Sequence, residues 1–397
     1  MNVLIDENNP YLNEVLSNYT FINNIILFKG RNLNNEILLE SDCEVLFCRS
    51  TSKVNDNLLK NSKVKFLATV TSGIDHIDLE AIKKYGIHFA NALGSNSNGV
   101  TEFVLYSILD WLSKNNKIAD DYSKYKLGII GFGNIGQKVA FYANKLGFEI
   151  FVNDTPLKNK NYEFPSYIHY KELDEMLNTC DIITNHIPLE NTLNLEQNDD
   201  LCNNSNNNTY KLLNDNLIHL KSNSCFIHSS RGSIVDEEKL SHLSPKSNIS
   251  LYIDVWENEP AIDTKLKLMA EISTPHIAGH TYNSKIKGVK MVLESLDKYC
   301  SETRGEKINS LIILDKILAN DPELNKNMDN LINFSSTPAN KFLEGEFKIS
   351  LYNKLKDNRK FDELSKSIKN DYLLNDINNT AFDNYRKDYN SFETIAN

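Results

Sequence analysis

An α/β fold built on a doubly wound parallel sheet is predicted by three observations. An unbroken strand, glycine turn, helix, strand and acid run from Lys126 to Asp154. Short apolar runs alternate with helical patterns along most of the chain. Polar residues suited to chemistry fall directly after several of those runs. In the first of these, Tyr125-Lys126-Leu127-Gly128-Ile129-Ile130 has the character of a buried parallel strand. Gly131-Phe132-Gly133-Asn134-Ile135-Gly136 follows at once, and Gln137 to Leu146 reads as a helix with Val139, Ala140, Ala143 and Leu146 on one face. Gly147 closes that helix, and Phe148 to Val152 returns as a strand ending at Asn153-Asp154.

This order is the one a dinucleotide-binding, Rossmann-type domain demands. Gly131 permits the tight turn, Gly133 lets the backbone approach a pyrophosphate, and Gly136 lets the helix pack on the strand. The N–H groups of Asn134, Ile135 and Gly136 at the helix start then face the phosphates. Asp154 is placed to accept hydrogen bonds from the adenine ribose and repels a 2′-phosphate, so NAD is expected over NADP.

At 397 residues the chain is long enough for two or three domains. A net charge of −10, from 43 basic and 53 acidic residues, argues against a nucleic-acid surface. Cys43, Cys48, Cys180, Cys202, Cys225 and Cys300 are scattered without a CxxC pair and read as reduced thiols, not as metal ligands. Asp6 and Glu7 directly follow Val3-Leu4-Ile5, which is no secretory leader, and no apolar run approaches the ~20 residues a membrane span needs. A soluble cytoplasmic protein with neither membrane nor nucleic-acid partner is the expectation.

Taken in order, Val3 to Asp6, Phe21 to Phe28, Val45 to Cys48 and Val64 to Val70 are β-rich runs. Asp78 can cap a helix reaching Tyr85, Gly86 ends it, and Ile87 to Ala90 returns as a strand. These residues make a small α/β domain ahead of the dinucleotide fold. Val100 to Leu112 is a long apolar helix, read as a core or interdomain helix and not as a binding element. After Asp154, strands are expected at Asp181 to Asn185, Cys225 to His228 and Ser250 to Trp256, with Asp236 capping the helix between the last two. Asn191 to Thr209 is Asn-rich and reads as a solvated loop insertion. A helix is expected from about Thr281 to Tyr299, beyond which the alternation is lost.

Arg231, Glu259 and His276 stand at the ends of successive strands, where an open parallel sheet places its ligand crevice. Imidazole can take a hydroxyl proton near neutral pH, a carboxylate can fix its tautomer, and a guanidinium can hold a substrate carboxylate by two parallel bonds. Singly, each has a bland reading as a surface charge or a structural histidine. Jointly, within a dinucleotide fold, they read as catalytic.

Asp181-Ile182-Ile183 to Pro188-Leu189, Ser230 to Asp236, Asp254 to Pro260 and Thr274 to Gly279 resemble the signatures of the D-isomer-specific 2-hydroxyacid dehydrogenases. The resemblance covers roughly residues 1 to 300. Leu4 to Asn8 with Pro10-Tyr11, Arg49 to Asn55, Thr71 to Asp78 and Phe382 to Tyr389 resemble one branch of that family, acting on a phosphorylated 2-hydroxy acid. The resemblance implies a Rossmann-type NAD domain, about residues 93–276, inserted in a smaller flavodoxin-like α/β substrate domain, residues 1–92 and 277–299. It also implies a C-terminal α+β dimerisation domain, residues 300–397, and hence a homodimer. His276 is then the proton donor and acceptor, Glu259 its partner and Arg231 the substrate-orienting residue. NAD contacts are implied for Asp154, Ile187, Ser229, Ser230, Arg231, Asp254 and Gly279, and substrate contacts for Ser50 and Thr71.

Two departures stand out: His280 occupies a position where this branch usually has a substrate-contacting tyrosine, and the Asn-rich segment lengthens the loop after Pro188. For the substrate phosphate, Arg49 and Lys53 are candidate cations. So is Arg386, beside Phe382, Tyr385 and Tyr389 on one helical face. That face is most simply core or dimer interface; the sharper expectation is that a dimer carries Arg386 to the neighbouring subunit's site. The alternatives are a member of the family acting on glycerate or 3-phosphoglycerate, and a non-enzymatic NAD-sensing protein on the same fold.

Overall fold

Five short runs rich in Val, Ile, Leu and Phe pair as a parallel sheet in the first part of the chain, in the order β2-β1-β3-β4-β5. They are β1 (Asn2–Asp6), β2 (Asn24–Phe28), β3 (Val45–Cys48), β4 (Phe66–Thr69) and β5 (His88–Asn91). This is the flavodoxin-like strand order. Successive side chains point to opposite faces, so both faces need cover. Val3, Ile5, Val45, Phe47 and Phe66 pack with Val289, Val292 and Leu296 of helix Tyr282–Arg304. Leu4, Leu46 and Leu67 pack with Leu38, Leu58, Leu59 and Ile82 on the other side. Asn34, Asn55 and Asp78 each cap a short helix by accepting a backbone N–H with the side chain.

The computed structural model describes residues 1–189, 208–306, 309–322, 324, 327, 331–371, 374, 380–389 and 391–396. The expected Asn-rich insertion, apart from its end at Asn208-Thr209, lies outside the described residues, as does Cys202. The chain divides into two compact units: Met1–Asn96 with Tyr282–Leu331, and Ser97–Thr281 with Ile332–Asn397.

In the second unit, β6 (Lys126–Ile130), β7 (Glu149–Asn153), β8 (Ile168–Tyr170), β9 (Ile182–Asn185), β10 (Cys225–His228), β11 (Ser250–Ile253) and β12 (Ile272–Ser273) are all parallel. Their order, β12-β11-β10-β9-β6-β7-β8, reverses between β6 and β9. That reversal is the switch point of a doubly wound, Rossmann-type sheet, where ligands bind beyond the carboxyl ends of the strands. Ile129 and Ile227 join Val104, Ile108, Val139 and Ala143 on one face. Ile130, Ile183, Phe226 and Leu251 join Met176, Leu217 and Leu240 on the other. Helix Ser97–Lys114 is buried from Ser97 to Leu112 on every side, which explains its unbroken apolar character.

The C-terminal stretch is helical, over Gly345–Arg359, Phe361–Asn370 and Ala381–Asp388, with one short parallel pair, β13 (Ile332–Asn333) and β14 (Ile395–Ala396). Its described apolar residues join the cores of the other elements. Phe334, Phe342, Leu351, Leu355, Phe361 and Ile395 complete the core that surrounds helix Ser97–Lys114. Residues up to Leu331 cluster with the first unit, and those from Ile332 with the second. Helices Gly345–Arg359 and Phe361–Asn370 escaped the sequence reading because their apolar residues are interspersed with charges, whereas Ala381–Asp388 matches the helical face read there. Phe382 is buried and Tyr385 packs beside it, so the aromatic face near Arg386 is core within this chain.

A Cβ on Gly136 would stand 2.1 Å from the Gly131 carbonyl oxygen. Gly136→Ala is therefore expected to push the helix off its strand. We predict a lower melting temperature together with loss of dinucleotide binding by calorimetry; wild-type values for both would refute this account of the turn.

Candidate active site

The glycine turn separates three requirements. Gly131 sits at φ 88°, and a Cβ there would meet the His186–Ile187 backbone at 3.1 Å. Gly136 has no room because of Gly131 itself. A Cβ on Gly133 would meet nothing within 4 Å, so its smallness answers to no protein neighbour. Gly133 is the N-cap of helix Asn134–Leu146 and offers no side chain to its first N–H groups. The first bond of that helix is Gln137 N–H to the Gly133 carbonyl, at 3.0 Å, which leaves Asn134, Ile135 and Gly136 as the natural phosphate donors. Asp154, ending β7, accepts the Phe132 N–H at 2.8 Å and the Leu157 N–H at 3.0 Å. It therefore ties the turn down as well as standing where a ribose would lie, a second task the sequence did not suggest.

The parallel register carries Arg231, Glu259 and His276 to one edge, since β10, β11 and β12 are neighbours. His276 Nδ1 lies 2.9 Å and 3.1 Å from the two Glu259 oxygens. Donating the Nδ1–H to this carboxylate fixes the His276 tautomer and leaves Nε2 for a reacting group. Glu259 also accepts the Trp256 N–H at 3.0 Å. Burial works against its charge, but His276, Arg386 and the Trp256 N–H together hold its carboxyl below the usual value. His276 adopts φ 56°, a left-handed conformation that only an over-determined setting maintains.

Asp254 supplies that setting. Its Oδ1 accepts from the Thr274 hydroxyl at 2.6 Å, the Ile277 N–H at 2.7 Å and the Ala278 N–H at 3.1 Å, and its Oδ2 from Ala278 at 3.0 Å. Burial pushes its carboxyl upward against these donors and the neighbouring His276. The residue expected to touch the cofactor is thus engaged first in shaping the turn of His276 and Gly279. Gly232 lets Arg231 approach, because a Cβ there would lie 1.9 Å from the Trp256 carbonyl carbon. Arg231 bonds the Ser230 carbonyl through Nη1 at 2.8 Å, and Ser230 Oγ accepts from Asn185 at 3.1 Å. The Ile187 N–H donates to Asn185 Oδ1 at 3.1 Å, and the His280 N–H donates to the Ile277 carbonyl at 2.8 Å.

Ser229 Oγ, His186 Nδ1 and His228 Nε2 are buried without a protein partner at the ends of β9 and β10. Burial holds the His186 and His228 rings down to about 3 and about 4, so both are neutral. Such orphaned groups, with the open space at Gly133, fit a polar cofactor along this edge. The two histidines were missed in the sequence, although each directly ends or follows an apolar strand.

In the first unit, Arg49 and Ser50 follow β3 and Thr71 follows the neighbouring β4. Ser50 is exposed, and the Thr71 hydroxyl meets that of Thr69 at 2.8 Å. Arg49 Nε pairs with buried Asp6 at 3.1 Å, so part of its guanidinium is already committed. Within this chain the Arg386 charge acts on Glu259, holding its carboxyl down. Among the described residues no cluster of His, Cys, Asp or Glu is arranged to hold a metal, and no helix is long and apolar enough to cross a membrane.

A phosphate cradle and a carboxylate-held imidazole on one sheet edge are what hydride and proton transfer require, which is the work of an NAD(P)-dependent oxidoreductase. Comparison with known proteins narrows that class. Residues 106–278 match the family described as D-isomer specific 2-hydroxyacid dehydrogenase, NAD binding domain. An erythronate-4-phosphate dehydrogenase of Bacteroides thetaiotaomicron is 35% identical over 301 residues, covering 75% of this chain and 80% of that protein. One of Wigglesworthia glossinidia brevipalpis is 35% identical over 303 residues, covering 75% and 72%. A Staphylococcus aureus NAD-dependent formate dehydrogenase in complex with NAD superposes with a TM-score of 0.60 at 20% identity, covering 76% of this chain and 96% of that one. An Aquifex aeolicus D-lactate dehydrogenase does so with 0.57 at 21%, covering 80% and 98%; these two speak for the fold. The chain belongs to the D-isomer-specific 2-hydroxyacid dehydrogenases and acts with NAD(P) on the CH–OH group of a 2-hydroxy acid.

Two predictions follow from the pairings. His276→Ala should lower turnover by ~10²–10⁴-fold. Glu259→Gln should move the acidic limb of the oxidation pH profile to lower pH, because the charge favouring a protonated ring is gone; an unmoved limb would remove the pairing from the mechanism. Glu237, buried behind the same loop, accepts the Glu257 N–H at 2.7 Å, and burial pushes its carboxyl up to about 8. Its unfolded value is near 4.5, so between about 4.5 and 8 only the folded chain holds the proton. Stability should fall as pH rises through that window. Glu237→Gln should match wild type near pH 4.5 and exceed it by about 1–3 kcal/mol above pH 8 in urea unfolding.

Proposed function

We propose that this protein is an erythronate-4-phosphate dehydrogenase. It oxidises 4-phospho-D-erythronate to (R)-3-hydroxy-2-oxo-4-phosphooxybutanoate in the cytoplasmic synthesis of pyridoxal 5′-phosphate, with NAD as cofactor. The His276–Glu259 pair, at the same carboxyl end of the sheet as the glycine cradle, carries the reading. The substrate is supported by relatives of that name at 35% identity over three quarters of the chain. NAD is supported by the Asp154 carboxylate at the end of β7, which would repel a 2′-phosphate.

In this mechanism Arg231 pairs with the substrate carboxylate and orients C2. His276 Nε2 takes the proton of the 2-hydroxyl while Glu259 steadies the imidazolium that forms. The N–H groups of the glycine turn and the Asp154 carboxylate would hold NAD⁺, which would supply the hydride acceptor for C2. Ser50, Thr71 and His280 are assigned to substrate hydroxyl and carboxylate contacts. Arg49 and Arg386 are assigned to the phosphate, Arg386 now from within the same chain. A homodimer is part of the reading, with sedimentation velocity as its measurement.

The deciding experiment compares initial rates on 4-phosphoerythronate, erythronate, glycerate and 3-phosphoglycerate with NAD⁺ and NADP⁺. The phosphorylated four-carbon acid with NAD⁺ should give the highest kcat/KM. Loss of the phosphate should cost roughly ten- to a hundredfold, the equivalent of about 1.5–3 kcal/mol in charge-assisted contacts. A higher kcat/KM on 3-phosphoglycerate, or preference for NADP⁺, would overturn the assignment.

A further inference from the structure

Arg359 ends helix Gly345–Arg359 and is among the largest side chains with no exposed surface. A buried guanidinium must place its five donors, and this one spends them on four partners. Nε meets the Tyr389 hydroxyl at 3.1 Å, and Nη1 meets Glu102 Oε2 at 2.6 Å and the Gly99 carbonyl at 3.2 Å. Nη2 meets the Ala278 carbonyl at 2.8 Å. Two of these bonds tie the C-terminal segment to the start of helix Ser97–Lys114, and a third, to Tyr389, stays within that segment. The fourth reaches the turn that carries His276.

That turn is gripped on its N–H side by Asp254, which takes the Ile277 and Ala278 donors. Gly99 closes on it too, since a Cβ there would lie 3.0 Å from the Ala278 oxygen and 3.3 Å from Gly279 Cα. With His276 held at φ 56°, the peptide after it must be fixed at both ends for the ring to stay on Glu259. We propose that Arg359 is a positioning residue for His276, holding the 276–279 turn through the Ala278 carbonyl. The assignment rests on the reading of His276 as the proton acceptor, which it deepens. It gives the C-terminal segment a part in the chemistry beyond covering the core. Lysine cannot replace the fork, because a single ammonium on Glu102 does not also span to Ala278.

The test uses full-length Arg359→Lys and Tyr389→Phe. The second removes only the hydroxyl that orients Nε and returns a bond to the Arg359 carbonyl at 2.9 Å. Folding is checked by thermal unfolding, kinetics on the 2-hydroxy acid the wild type oxidises, and the His276 ring titration by NMR without substrate. Arg359→Lys should lower kcat by roughly 10- to 100-fold while KM for NAD⁺, set at the glycine cradle, changes by less than about threefold. Its His276 titration should shift toward that of Glu259→Gln. Tyr389→Phe should do the same to a lesser degree, about three- to tenfold in kcat. A folded Arg359→Lys with wild-type kcat and wild-type His276 titration would reduce Arg359 to a tail clamp. Should Arg359→Lys not fold, wild-type values in Tyr389→Phe decide against the proposal. A wild type that oxidises no 2-hydroxy acid would instead sink the functional reading, and the ring titration, needing no turnover, would still judge Arg359.

Discussion

The second unit depends on the backbone of one residue. His276 is held in a left-handed conformation at the end of a two-residue edge strand, and a histidine does not stay there unaided. Asp254 makes the conformation tenable by accepting donors on both sides of His276, from Thr274, Ile277 and Ala278, at the cost of burying its own charge. The strain therefore sits where the imidazole must be aimed, and the compensating bonds sit just behind it.

The same economy governs the rest of the sheet edge. Parallel strands deliver all their following residues to one side, so a glycine turn, an acid, an arginine and a histidine far apart in sequence arrive together. Close approach then has to be permitted locally. Gly131 admits the backbone beyond β9, and Gly232 admits that beyond β11, each against main-chain atoms that have nowhere to retreat. Buried neutral histidines at the ends of β9 and β10 keep added positive charge away from this edge.

Much of this was legible in the chain. The dinucleotide strand, turn and helix, the caps at Asp78 and Asp236, and the strand ends bearing Arg231, Glu259 and His276 obey short-range rules, and the structure places them accordingly. What escaped is long-range or many-bodied. Asp254 reads as a generic strand-end acid until its donors are seen around it. Arg359 gives no signal at all, since nothing nearby in sequence tells of Glu102 or Ala278. The direction in which Arg386 acts depends on how its helix lies on the core, which periodicity cannot supply.

The late position of the covering segment has a bearing on how the chain comes off the ribosome. Phe103 meets Phe361 edge-on and Tyr106 of the same helix stacks on Tyr352, and the edge strand β12 has its Ser273 N–H received by Ser365 Oγ at 2.9 Å. All three covering residues are translated after the whole dinucleotide sheet. Until they emerge, the nascent sheet carries an apolar helix face and an unpaired strand edge, the two surfaces most prone to wrong association. A fragment stopping before the last helices is therefore a candidate for chaperone capture, while its glycine cradle is already fully encoded.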